Sequence, residues 1–166
     1  QCESKSEVEC FVDADFTNTD VETSRCVTGY VIKRYGGLIE WSAKLQPDNA
    51  QATGHAEYMA IFFANNAVQH NRQCMKDIHL PQTQPTKIYE DNNQAITWAT
   101  SVAVTPANRF FKARYHATRA SINEKSIELI KVGTQVQVAD AWSKALPRPG
   151  LQKHIVVSGM RDATGD

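Results

Sequence analysis

The 166-residue sequence predicts a mixed α/β sheet with helices packed against it. Three observations carry that prediction. Two apolar runs are joined by the pair Gly36-Gly37, a hairpin signal. Downstream, helical apolar stripes alternate with short apolar runs, the pattern of βα units. No internal repeat, low-complexity segment or linker interrupts the order, so the chain reads as one domain with a full core.

The elements follow in order. Residues 8–13 form a first strand, and residues 27–34 and 38–44 are the strands of the hairpin. Residues 56–71 carry a helical stripe through Met59, Phe62, Phe63 and Ala67. Pro81 and Pro85 mark a loop, and residues 86–89 make a short fourth strand. Residues 92–100 form a helix directly after Asp91. Residues 108–124 form a longer one, with Phe111, Tyr115, Thr118 and Ile122 as its apolar stripe. Residues 127–132 are the last strand, and residues 139–146 are a short helix stopped by Pro147 and Pro149. An antiparallel hairpin followed by βα units gives a mixed sheet, in which the first and fourth strands can lie adjacent and parallel.

Composition sets bounds. The chain is 42% hydrophobic and 22% charged, ordinary for a globular domain and unlike a disordered one. No apolar run reaches the roughly 18 residues of a membrane span. The four cysteines, at 2, 10, 26 and 74, fit no zinc spacing and read as free thiols in a reducing compartment. Net charge is zero, which argues against general attraction to nucleic acid. The distribution is uneven, however: residues 1–105 carry a net −5 and residues 106–153 a net +6. An acidic part beside a basic part suits a site that holds cations next to a surface that holds phosphates.

The acids fall at element boundaries. Asp13 ends the first strand in "FVDADF", with Asp15 one alternation further on the same face. Glu57 lies in the first turn of the long helix. Asp91 ends the fourth strand, and Asp140 opens the last helix. If the first and fourth strands are neighbours, Asp13 and Asp91 leave the same strand ends and the helices bring Glu57 and Asp140 to them. Four converging carboxylates demand cations, and with two Mg²⁺ they would make a phosphoryl-transfer site.

The set "FVDADF", "GHAEYMAI", "IYEDNNQAI" and "VADAWSKALPRP", with "TGYVIKRYGGLIEWSAKLQ" and "ARYHATR", resembles the ribonuclease H domain of copia-type LTR retrotransposon polyproteins. The resemblance runs from about residue 10 to about residue 152. It implies a ribonuclease H-like fold: a five-stranded mixed sheet in order 3-2-1-4-5, antiparallel over its first three strands and flanked by helices. It places residues 1–7 as the cut end of a longer chain, 8–152 as the domain and 153–166 as a C-terminal tail. It implies four catalytic, metal-binding acids, Asp13, Glu57, Asp91 and Asp140, and two Mg²⁺, replaceable by Mn²⁺. One metal would rest on Asp13 and Asp140, the other on Asp13, Glu57 and Asp91. The sequence leaves open whether Asp13 or Asp15 is the bridging acid.

The implied activity is hydrolysis of the RNA strand of RNA/DNA hybrids during reverse transcription. The implied setting is the cytoplasmic virus-like particle of the element, with no membrane association. The partner would be the reverse transcriptase domain of the same polyprotein, and the isolated domain would be monomeric. Thr53, His55, Asn92 and Asn93 stand where the family reads the sugar edge of its substrate. Arg109, Lys112, His116 and Arg119 recur on one helical face able to track phosphates, and Lys144 follows Asp140 by four. The chain departs from the family where His55 replaces a Glu. It departs again at Arg109, Phe110, Phe111 and Lys112, which replace Lys-His-Ile-Asp. The loop at 132–139 also lacks the His that many cellular ribonucleases H carry. The competing readings are a non-catalytic copy kept as a binding surface and an integrase-like nuclease core. The complete set of four acids favours the active ribonuclease.

Overall fold

The computed structural model of the chain describes residues 8–16, 25–101, 111 and 113–160. Its five strands are β1 (Val8–Asp15), β2 (Val27–Arg34), β3 (Gly37–Leu45), β4 (Thr86–Glu90) and β5 (Ile127–Lys131). They form one sheet in the order β3-β2-β1-β4-β5, the order the family resemblance implies. β1 pairs antiparallel with β2 and parallel with β4; β2–β3 is antiparallel and β4–β5 parallel.

The hairpin turn sits one residue earlier than the Gly-Gly pair suggests. Tyr35 and Gly36 are the turn residues, with φ of 53° and 80°, while Gly37 already pairs with Arg34. A two-residue turn matched to strand twist needs positive φ at both positions, so one glycine serves the turn and the other begins the strand.

Alternation along β1 sorts its side chains. Val8, Cys10, Val12 and Ala14 point into the core beneath α1 (Thr53–Asp77), packing with Met59, Ala60, Ile61, Ala64 and Val68. The odd residues, Asp13 and Asp15 among them, face the other side, yet both are buried. α2 (Asn93–Thr100) and α3 (Ala117–Asn123) complete the α1 side. α3 is preceded by a 3-10 turn at Ala113–His116, so the described part of the expected 108–124 helix is split. Its apolar residues Phe111, Tyr115 and Thr118 are buried as the stripe requires.

On the opposite face α4 (Asp140–Ser143) packs against β1 and β2, and α5 (Arg148–Val157) follows it and touches α4, with none of its residues buried. Sequence reading has a single helix here, ended by the prolines. In the structure α4 closes at Ser143 and Pro149 lies in the first turn of a new helix, where a missing N–H costs nothing. That helix crosses residue 152, the expected end of the domain. Cys10, Cys26 and Cys74 are free thiols. Among the described residues no helix is long and apolar enough to cross a membrane.

Candidate active site

The site lies where the sheet runs out of partners. Parallel pairing of β1 with β4 ends at Phe11↔Tyr89, and β1 continues past it to Asp15. Beyond the end of β4 the sheet is notched, and the notch is a cavity of about 220 Å³ lined by Asp13, Asp15, Thr53, Glu57, Asp91, Asn92 and Lys144 among others. Asp13, Glu57 and Asp91 each offer a carboxylate oxygen, and these oxygens lie within 4.8 Å of one another. The set contains Asp13 and not Asp15.

Three buried or half-buried acids this close repel one another and lose hydration together. Burial, then the charges of Glu90, Asp13 and Asp91, push the Glu57 carboxyl well above the usual glutamate range, with Lys144 opposing. Burial also raises Asp13, against the Ser143 hydrogen bond and the Lys144 charge. Glu57 Oε2 is buried with no hydrogen-bond partner among the described residues. An orphaned carboxylate oxygen beside two other acids is the hard donor set that Mg²⁺ or Mn²⁺ binds, so these residues fit the implied metal.

Asp140 is held differently. Lys144 Nζ lies 2.7 Å from Asp140 Oδ1, and 3.2 and 3.0 Å from Asp13 Oδ1 and Oδ2. Ser143 Oγ also donates to Asp13 Oδ2. Burial works against the Lys144 ammonium, but its bonds to Asp140 and Asp13 outweigh that and hold its pKa above the usual lysine range. Thus the fourth acid joins the other three through a lysine.

Gly29 makes this docking possible. It is the register partner of Asp13 on β2, and a Cβ there would lie 2.6 Å from Ser143 N and 2.7 Å from the Trp142 carbonyl carbon. The α4 backbone rests directly on β2, which brings Ser143 and Lys144 to Asp13. Gln137, fully buried, secures the loop before α4: its amide donates 2.9 Å to the Val12 carbonyl and its oxygen accepts from Ala139 N–H.

The remaining expected contacts divide. Thr53 and Asn92 line the cavity. Asn92 is also the N-cap of α2, its Oδ1 accepting from Gln94 and Ala95 N–H, and Asn93 is exposed beside it. His55 is buried, stacked on Phe111 with ring centroids 4.3 Å apart. His116 Nδ1 shares a 2.7 Å hydrogen bond with the Tyr58 hydroxyl. The Arg119 guanidinium donates twice to the Trp98 carbonyl, joining α3 to α2. Arg109 and Lys112 lie outside the described residues.

Sequence reading passed over Glu90, Ser143, Gln137 and Gly29. Glu90 is fully buried next to Asp91, and its Oε1 accepts from Asn92 N–H. Burial, eased by that hydrogen bond, pushes its carboxyl well up. Gly29 had a legible signal: glycine inside a strand marks a close backbone approach.

No family model matches the chain. Over 138 residues, 83% of this chain, it is 28% identical to the retrovirus-related Pol polyprotein from transposon TNT 1-94 of Nicotiana tabacum. Over 142 residues, 86% of this chain, it is 24% identical to the retrovirus-related Pol polyprotein from transposon RE1 of Arabidopsis thaliana. The chain spans about 10% of the length of each. Among solved structures, LC11-RNase H1 in complex with an RNA/DNA hybrid superposes with a TM-score of 0.58 at 10% identity, covering 82% of this chain and 93% of that one. RNase H1 from Halobacterium salinarum gives 0.52 at 14% identity, over 82% and 94%. At these identities the structural likeness is one of fold, and the fold is that of ribonuclease H. The sequence relatives are transposon Pol polyproteins, as the motifs imply.

Proposed function

We propose that this chain is the ribonuclease H unit of a transposon Pol polyprotein and hydrolyses the RNA strand of RNA/DNA hybrids. One observation carries the reading: three carboxylate oxygens, from Asp13, Glu57 and Asp91, gather within 4.8 Å in an open notch, with Asp140 linked to Asp13 beside them. Glu57 and Asp91 would share one divalent ion with Asp13, and Asp13 would share a second with Asp140. Such ions, when bound, supply Lewis acidity and an activated water for attack on phosphate. The chain's own part is to hold four acids from four elements in one place. Thr53 and Asn92, at the cavity wall, would meet the sugar edge, where the 2′-hydroxyl separates RNA from DNA. The products would carry 5′-phosphate and 3′-hydroxyl ends. The reverse transcriptase domain of the same polyprotein would present the hybrid, inside the element's particle.

The test is incubation of the purified chain with labelled RNA/DNA hybrid and with DNA duplex. Cleavage of the hybrid's RNA strand is expected with Mg²⁺ or Mn²⁺, and none with EDTA. Ca²⁺, whose contacts are longer and looser, should fail to support it. Equal cutting of DNA duplex, or an unchanged rate in EDTA, would overturn the proposal.

A further inference from the structure

Resting on that metal-site reading, we propose that Lys144 is a resident counter-cation: it closes the Asp13–Asp140 half of the site without metal, and a divalent ion must displace it there. The two halves are unequal in charge. Asp13, Glu57 and Asp91 face one another, and among the described residues neither Glu57 nor Asp91 has an ion-pair partner. Between Asp13 and Asp140 stands the Lys144 ammonium, within 3.2 Å of oxygens from both. A cation entering the first half relieves repulsion and meets Lys144 only at the shared Asp13. A cation entering the second must displace the lysine from both Asp13 and Asp140.

The geometry lets Lys144 leave. The residue follows the last residue of α4, is 34% exposed and lines the cavity mouth. Its flexible four-carbon stem can swing the ammonium outward while the backbone stays docked on Gly29. Once displaced, the same charge faces the opening through which a phosphate of the substrate would arrive. Loading the second half and gaining a phosphate contact would then be one event. Without substrate the lysine returns to the acids and the second half stays weak.

Mn²⁺ binding, followed by calorimetry and by the paramagnetic signal of free Mn²⁺, tests this without any turnover. Wild type should show one tighter and one weaker class. Lys144→Met should strengthen the weaker class by about tenfold, the order expected when a half-exposed charge pair no longer competes. It should change the tighter class much less. Lys144→Arg, which keeps the charge, should leave the weaker class weak. In EDTA, Lys144→Met should melt below wild type, and Mn²⁺ should raise its melting temperature by more. Lys144→Gln serves if the methionine variant does not fold. An unchanged weaker class in Lys144→Met, or equal strengthening in Lys144→Arg, overturns this inference alone. Absence of any Mn²⁺ binding to wild type overturns the metal-site reading and the inference with it.

Discussion

Asp13 belongs to two neighbourhoods that solve the same electrostatic problem in opposite ways. Towards Glu57 and Asp91 it meets carboxylates, and among the described residues neither of these two pairs with a cation. Towards α4 it meets a hydroxyl and an ammonium, from Ser143 and Lys144, and Asp140 is neutralised by the same lysine. The first side is held in place by strands and by the buried start of α1, at the expense of repulsion. The second holds itself together. A functional site can thus be unstable on one side and satisfied on the other, with a single residue shared between them.

Removing an acid from the repelling side should have the largest effect. Glu57→Gln and Asp91→Asn are expected to abolish hybrid cleavage while leaving the metal-free fold at least as stable as wild type, because each relieves like-charge repulsion. Asp13→Asn should also abolish cleavage, with a smaller gain in stability, since it forfeits the Lys144 and Ser143 contacts. Asp140→Asn should bring no gain. Gel assays and melting in EDTA decide it. Full activity in Asp91→Asn would break the comparison.

Next is the docking of the satisfied side. Gly29→Ala would drive a methyl into the α4 backbone, an overpacking expected to cost about 1–3 kcal/mol. Cleavage should fall because Asp140 moves away from Asp13. Mn²⁺ binding at Asp13, Glu57 and Asp91 should persist, because their strand and helix positions do not depend on α4. Loss of all Mn²⁺ binding would show that the two sides are not separable.

The third prediction separates the sides by pH. Folding raises the Glu57 and Glu90 carboxyls above their ordinary range. A raised acid stabilises the fold fully below its unfolded value of about 4.5, and that stability is lost as pH rises through the higher folded value. In EDTA, the advantage of Glu57→Gln over wild type in melting temperature should therefore widen as pH climbs from about 4.5. Saturating Mg²⁺ should close the gap. A gap that shrinks with rising pH would reverse the sign of the argument.

The smallest effect concerns the basic residues Arg109, Lys112 and Arg119. Arg119 is committed to the Trp98 carbonyl, so Arg119→Ala should leave the salt dependence of hybrid binding unchanged. Changing Arg109 and Lys112 together to Ala should reduce the slope of log K against log salt by up to about 2, at roughly 0.9 per phosphate contact. The rate on bound hybrid should not move. A lower slope in Arg119→Ala would place that residue on a phosphate instead.

Much of this arrangement was legible in the residues. Strand periodicity and the hairpin glycines placed β1 to β4, with Asp91 directly after the end of β4. The helical stripe of α1 put Glu57 near the helix start, since spacing of apolar residues fixes which face is buried; because α1 already begins at Thr53, Glu57 lies just past the first turn rather than in it. Polar side chains resisted this treatment. Whether His55, His116 or Arg119 faces solvent or a neighbour depends on what packs against it, and no local pattern encodes that. Each found an interior partner instead: Phe111, Tyr58 and the Trp98 carbonyl.

By itself the sequence determined the sheet class, the order of the elements up to the last helix, and Glu57 and Asp91 as candidate acids, because these follow from periodicity and motif spacing along one chain. Only the tertiary structure decided that Asp13 rather than Asp15 enters the cluster, that Glu90 is buried beside it, and that Lys144 stands between Asp13 and Asp140. Those outcomes turn on where β1 outruns β4 and on how closely α4 rests on Gly29. Both are distances between segments far apart in the chain. Close packing sets them within tenths of an ångström, and no reading along the chain reaches that scale.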